Sequence, residues 1–582
     1  MKEFLSILFT LNNRTGKSRL LYGLLSENSS ICWQGKLRLI CLMNSKITGK
    51  FVALAQYYSF KDRFMNKTLS SSFVAVLSLA GVSISDYVQA QQLVKPNVIY
   101  IYADDMGKGM LSAYGQRHFT TPHIDAMVTR GTSFDNAYGC MLSAPARASL
   151  LTGYHDCHPD KWMISKGGQF IPPTDNLSLI PALEKEIDDG DILLGEGDCY
   201  LPQVFKKAGY VTAEIGKLEW GFTATRKQMK EHGWDYYYGY LDHVRCHGFY
   251  PPFLFDSGEI VTIDGNTLPN CGKSTENETD ETLRERWERN GKAVYSQDLF
   301  LDKMLSFIRE NKDKPFFLFH PTQLPHGPVA IPAVHPELAA NPELTPIEKE
   351  YASMIKLLDD HVGLIMNELR DLGLDKNTII VFAADNGHEI YYSQKGRCEK
   401  PYKNLQTGQL FDDYTDKYYS DLAGDIFNGN AGMAGLKRSN LDGGVHIPLI
   451  FYGEGLIPAG VKSKELVSNY DFLSTMADLL NVSLPVKKDG ISFLPTLLNG
   501  KQTDPKRYVV YGSNLGPGIV MNDGWKLRYY RKQGVYELYN LSDDPQERKN
   551  VIDKYPEKAE ELKAIMLKEC DGNLENGVNR YG

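Results

Sequence analysis

A chain of 582 residues with 42% hydrophobic and 11% aromatic content is an ordinary globular protein, long enough for one large α/β core and a smaller companion. Its formal charge of −8 is unevenly spread: residues 1–64 carry ten Lys/Arg against three Asp/Glu, whereas residues 93–582 hold 53 basic and 68 acidic groups. A body that acidic excludes a general nucleic-acid binder, so an anionic substrate must be met by a local cluster of cations.

Residues 1–64 read as an extension upstream of a second start at Met65. From there Lys67 supplies a short positive region, residues 73–82 an apolar stretch and Val88-Gln89-Ala90 a small-residue cleavage signal. Residues 65–92 therefore read as an export signal, with the mature chain beginning near Gln91. The competing reading makes residues 1–90 one basic, disordered extension. No later run approaches the ~20 apolar residues of a membrane span, so a soluble periplasmic or extracellular protein is expected, without a membrane span after signal cleavage. Seven of the nine cysteines lie beyond residue 92 with no CxxC pair. Export would permit disulfides, but their connectivity does not follow from spacing.

Short apolar runs separated by helical patterns predict a large, mostly parallel sheet flanked by helices over residues 93–500. Residues 98–102 (Val-Ile-Tyr-Ile-Tyr) are its first strand; 211–215, 316–319, 379–382 and 449–452 are further members, and 351–369 has helical spacing. After about residue 500 the texture changes. Segments 508–511, 518–521, 525–530 and 535–539, punctuated by turn signals, predict a small antiparallel sheet, and 556–569 a charged helix. Residues 501–582 thus read as a smaller C-terminal α+β subdomain.

Two acidic pairs follow predicted strands: Asp104-Asp105 after the first, and Asp385-Asn386-Gly387 after the 379–382 strand. In open α/β sheets the ligand site lies at the carboxyl ends of strands, so these distant pairs can meet there. Adjacent carboxylates are costly to bury unless a divalent cation holds them, and an all-oxygen set favours Ca²⁺ or Mg²⁺ over zinc. Between them stands Ser143-Ala144-Pro145-Ala146-Arg147, followed by Leu151-Thr152-Gly153. Pro145 suits a helix's first turn and Gly153 its end, and Arg147 shares a face with Ser143 one turn earlier. A helix N-terminus and a guanidinium would both favour an anion there, although an ordinary N-cap serine fits the same residues.

Ser143-x-Pro145-x-Arg147 with Leu-Thr-Gly resembles the maturation motif of the type I, formylglycine-dependent sulfatases of the alkaline phosphatase superfamily. The resemblance runs over residues 95–550, through Gly216-Lys217, Thr378 to Gly387, Gly435-x-Lys437, Asp442-Gly443-Gly444, Asp489-Gly490 and Glu537-Leu538-Tyr539. It implies that a serine-type maturase oxidises Ser143 to formylglycine. One hydroxyl of the hydrated aldehyde, held on the metal, then attacks sulfur, and the other loses its proton so that sulfate leaves by C–O cleavage. By the same resemblance Asp104, Asp105, Asp385 and Asn386, with the modified Ser143, are the ligands of Ca²⁺, or less readily Mg²⁺. Arg147 orients the diol, Lys217 and Lys437 grip sulfate oxygens, and His326 contacts the sulfate or assists the leaving oxygen. A sulfated carbohydrate is the implied substrate.

This chain departs from the family's pattern in two places. Gly216-Lys217-Leu218-Glu219 replaces the usual Gly-Lys-x-His, and Asp442-Gly443-Gly444-Val445-His446 replaces Glu-Gly-Gly with a nearby arginine. If the chain is extended from Lys217, Glu219 points to the same side and becomes a partner of Lys217 or of a substrate hydroxyl, in preference to the alternative of a protonated acid that donates to the leaving oxygen. His243, His247 and Tyr250 either line the rim of a sugar-binding pocket or belong to a packed loop. Two other functions remain open on the sequence: a phosphodiesterase or phosphonate hydrolase of the same superfamily, and a glycan-binding pseudoenzyme.

Overall fold

The apolar runs become the centre of a ten-stranded sheet. In the computed structural model the described residues are 6–12, 18–24, 95–161, 176–182, 197–220, 226–243, 245–274, 279–392, 398–399, 403–404, 408, 416–499, 507–512 and 515–576. The chain divides into two units, Met1–Leu93 and Val94–Gly582. In the first, β1 (Ser6–Asn12) pairs antiparallel with β2 (Ser18–Leu24). The predicted export signal at residues 65–92 lies outside the described residues.

In the second unit the strands are β3 (Asn97–Ala103), β4 (Thr132–Tyr138), β5 (Val211–Lys217), β6 (Tyr236–Tyr240), β7 (Phe253–Asp256), β8 (Glu259–Thr262), β9 (Phe316–Pro321) and β10 (Thr378–Ala384). A two-residue ladder joins β11 (Cys398–Glu399) to β12 (Lys403–Asn404), and β13 (Leu449–Tyr452) and β14 (Val461–Ser468) complete the set before the C-terminal segment. The large sheet runs β14-β4-β13-β10-β3-β9-β5-β6-β7-β8. Its centre, β10-β3-β9-β5-β6, is parallel throughout, while β13 and β7 join antiparallel. Every residue of β3, β9 and β10 is buried, because a parallel strand covered on both faces needs a continuous apolar run. All five central strands end at one edge of the sheet. Asp104, Asp385, Lys217 and His326 are at or just beyond those ends.

The C-terminal segment forms an antiparallel meander, β15 (Tyr508–Tyr511), β16 (Gly518–Met521), β17 (Trp525–Tyr530) and β18 (Val535–Asn540), with a helix at Pro556–Glu569. A buried charge joins it to the large sheet's loops: Lys526 Nζ lies 2.6 Å from Asp442 Oδ1 and 2.7 Å from Glu547 Oε1. Asp442 also accepts from the Tyr138 hydroxyl at 3.0 Å. The Asp-Gly-Gly departure is therefore structural. The six cysteines with described side chains are buried and form no disulfide.

A second polar clasp joins the loop after the Ser143 helix to the C-terminal helix. His155 and His158 stack at 4.2 Å and 13°. His158 Nδ1 meets Asp571 at 2.7 Å and its Nε2 meets Asp489 at 3.1 Å, while His155 Nε2 lies 3.4 Å from Glu569. The two imidazoles and three carboxylates form a set of ion pairs. Burial opposes the His158 charge, but Asp489 and then Asp571 push its pKa up to about 9. A raised histidine adds stability below its ordinary 6.5 and loses it as pH climbs through about 9. His158→Gln should lower stability near neutral pH by ~1–3 kcal/mol. Its thermal-melting profile should also lack the decline that the wild type shows between pH 7 and 10; an unchanged profile contradicts the clasp.

Candidate active site

Ser143 is the first residue of a ten-residue helix, α1 (Ser143–Thr152), entered from an extended Leu142 and closed by Gly153 at φ 76°. The serine is thus the helix's opening residue, not its N-cap. Its hydroxyl donates to Asp104 Oδ1 at 2.6 Å. Arg147, one turn on and fully buried, directs Nη2 to Asp385 Oδ2 at 3.4 Å and to Asp104 Oδ2 at 3.6 Å, and its Nη1 donates to the Lys217 carbonyl at 3.3 Å. From the end of β5, Lys217 Nζ reaches Asp104 Oδ2 at 2.7 Å.

Asp105 turns out of β3 in the left-handed region, φ 62°, and its N–H donates to Asp385 Oδ1 at 3.0 Å. Asn386 Nδ2 donates to Asp105 Oδ1 at 2.8 Å. Lys437 Nζ lies 2.5 Å from Asp105 Oδ2 and 3.2 Å from His326 Nε2. The lysine's loop is set by close backbone approach: a Cβ on Gly443 would sit 2.2 Å from the Gly435 carbonyl oxygen, and one on Gly444 2.4 Å from that of Leu436. Only glycine fits at either position.

Asp104, Asp105, Asp385 and Asn386 are at most 1% exposed. Burial, and then the charge of Asp104, push the Asp385 pKa up to about 7. Burial likewise opposes ionisation of Asp104, but Lys217, with Arg147 and Lys437 in support, holds its carboxyl well below the usual range. Burial and the Lys437 charge keep the His326 imidazole neutral. The Asn386 carbonyl oxygen is buried without a hydrogen-bond partner among the described residues. An orphaned amide oxygen beside three buried carboxylates is the donor set of a hard divalent cation, so the residues fit such an ion. Arg147 Nε is likewise a buried donor without a partner there.

The remaining candidates divide. His247 is half-buried and stacks on His326 at 3.9 Å and 11°, which puts it beside the site. His243 is buried, with Nε2 at 2.8 Å from the Leu218 carbonyl, against the backbone that leaves β5. Tyr250 is buried too, its hydroxyl 2.6 Å from Arg289 Nη1. Glu219 corrects the expectation of a Lys217 or substrate partner. Its backbone is left-handed, φ 57°, which breaks the alternation of an extended chain. The carboxylate instead accepts from Trp234 Nε1 and lies 2.9 Å from His232 Nδ1, 1% exposed. Tyr391, which sequence reasoning passed over, donates its hydroxyl to Asp105 Oδ2.

A family model described as Sulfatase matches residues 96–482, and one described as N-sulphoglucosamine sulphohydrolase, C-terminal, matches residues 435–572. The chain is 28% identical over 533 residues to an N-acetylgalactosamine-6-O-sulfatase of Bacteroides thetaiotaomicron, covering 81% of this chain and 92% of that protein. It is 28% identical over 429 residues to the human N-acetylgalactosamine-6-sulfatase, covering 72% and 69%. A solved structure from work on glycosaminoglycan metabolism by Bacteroides thetaiotaomicron shares the fold, with a TM-score of 0.61 at 24% identity over 82% of this chain and 99% of that one. With two thirds of its length matched by the family model and acidic, cationic and serine groups gathered at one sheet edge, the chain belongs to the sulfatase family and is a sulfuric ester hydrolase.

Proposed function

We propose that the enzyme removes sulfate from a carbohydrate, using formylglycine made from Ser143 and one bound divalent cation, Ca²⁺ in preference to Mg²⁺. The observation that carries this reading is the Ser143 hydroxyl on Asp104, beside the orphaned Asn386 oxygen and three buried carboxylates. The similarity to N-acetylgalactosamine-6-sulfatases supports a sulfated sugar as substrate. Export to the periplasm or beyond, cleavage near Gln91 and encounter with a serine-type maturase belong to the same proposal. The case for a pseudoenzyme weakens, since the Glu219 that motivated it is turned into a buried contact with His232 and Trp234.

Asp104, Asp105, Asp385 and Asn386 would hold the cation, which supplies Lewis acidity toward a hydroxyl and a sulfate oxygen. Arg147, on the same helix face as residue 143, orients the hydrated aldehyde. As one of its hydroxyl oxygens bonds to sulfur, the S–O bond to the sugar breaks and the sugar oxygen takes the proton which that hydroxyl gives up; the neutral His326 imidazole, with its Nε2 lone pair, is the nearby group that can pass it on. The second hydroxyl then gives up its proton, the C–O bond to sulfate breaks, and the aldehyde returns. Lys217 and Lys437 exchange their carboxylate partners for sulfate oxygens, where charge grows.

With a serine-type maturase present, the Ser143 peptide should lose two hydrogens, about 2 Da by mass, or appear as its hydrate; full turnover by protein carrying only unmodified Ser143 refutes the mechanism. Asp385→Ala should cut kcat by about 100-fold or more, and chelation should act likewise, with Ca²⁺ restoring the chelated wild type. A rigorously metal-free enzyme at wild-type rate would contradict this. Glu219→Gln should lower stability by ~1–3 kcal/mol through its buried partners and leave kcat and KM on a sulfated sugar near wild type. A large kcat loss rescued on an activated aryl sulfate would return Glu219 to the chemistry. A panel of sulfated mono- and disaccharides, assayed by sulfate release, identifies the sugar and position.

A further inference from the structure

Asp105 Oδ2 and His326 Nε2 face each other at 3.3 Å in a buried site. Both are acceptors. His326 Nδ1 lies 2.5 Å from the Gly327 carbonyl, which can only accept, so Nδ1 carries the ring proton and Nε2 the lone pair. Two buried acceptors this close are unfavourable unless donors bridge them. Lys437 does so from one side, 2.5 Å from the carboxylate and 3.2 Å from the imidazole. The Tyr391 hydroxyl gives its one proton to Asp105 Oδ2 and lies 3.0 Å from His326 Nε2.

The tyrosine's place is built into the fold. Its ring packs against Gly327, where a Cβ would come within 2.1 Å of ring Cδ1, and the residue is 5% exposed. Lys437 has three N–H donors, two of them on Asp105 and His326, so a sulfate oxygen would compete with both for its charge, whereas Tyr391, anchored by packing, serves Asp105 alone. We propose that Tyr391 is a positioning residue for the cation site: its one proton holds the Asp105 carboxylate in place while Lys437 engages substrate. This proposal rests on the reading of the carboxylate cluster as a Ca²⁺ site.

The test is the thermal shift of matured protein titrated with Ca²⁺, alongside kinetics on a sulfated sugar. Tyr391→Phe removes the hydroxyl and keeps the ring. Its metal-free melting temperature should stay close to wild type, while its Ca²⁺ affinity falls about 10–100-fold, as for other groups that hold a metal ligand in place. At saturating Ca²⁺, kcat should fall about 10-fold with KM changed less, because Asp105 is misplaced in the reaction rather than in sugar binding. A purely structural tyrosine would instead lower the metal-free melting temperature and leave Ca²⁺ affinity alone. Should Tyr391→Phe fail to fold, Gly327→Ala displaces the ring while keeping the hydroxyl, and the same loss of Ca²⁺ affinity is expected. Wild-type protein without any Ca²⁺-dependent shift would overturn the cation reading itself. A wild-type shift reproduced unchanged in Tyr391→Phe, or in Gly327→Ala where that variant must stand in, would overturn the role of Tyr391 alone.

Discussion

Three carboxylates, Asp104, Asp105 and Asp385, are buried within hydrogen-bonding reach of a common set of groups, and their mutual repulsion is the constraint on which the site depends. Unopposed, that much buried negative charge would be prohibitively unfavourable. The fold answers it with Arg147, Lys217 and Lys437, each delivered by a different element: the helix after β4, the end of β5 and the loop before β13. The two ammonium groups sit on carboxylates that the proposed cation would also neutralise. The same charges that keep the pocket folded are those proposed to pass to the sulfate.

The C-terminal meander takes part in this arrangement at one remove. Lys526 is a fully buried lysine between Asp442 and Glu547, and Asp442 opens the Gly443-Gly444 turn against which the Lys437 loop packs. Contact therefore runs from a strand of the small sheet, through one ion pair and two glycines, to an ammonium in the active site. A residue that reads as a motif departure has a structural role in holding the loop that bears Lys437.

Much of the frame was legible because its cause is local. Residues 98–102 and 379–382 are apolar without interruption, which is what a strand covered on both faces requires, and the helix expected from about 556 to 569 is present at Pro556–Glu569. β4, Thr-Ser-Phe-Asp-Asn-Ala-Tyr, was not read: its pattern is polar, and pairing to β13 and β14 makes it a strand. Glu219 was misplaced because a single left-handed φ, invisible in sequence, turns it away from Lys217 toward His232. Tyr391 carries no spacing signal. It lies five residues after Asn386, and tertiary packing of its ring against Gly327 and His326 brings its hydroxyl to Asp105. The His155–His158 clasp was missed for the same reason, since Asp489, Glu569 and Asp571 are distant in the chain.

The most direct test is a crystal structure of the matured enzyme grown with Ca²⁺ and soaked with a sulfate ester. The expected result is a single cation bound by Asp104, Asp105, Asp385 and the Asn386 amide oxygen. Residue 143 should carry two oxygens on its side-chain carbon, and Lys217 and Lys437 should have turned from their carboxylates to the sulfate. A plain serine at 143, with Lys437 still on Asp105 and no cation among the carboxylates, would contradict it.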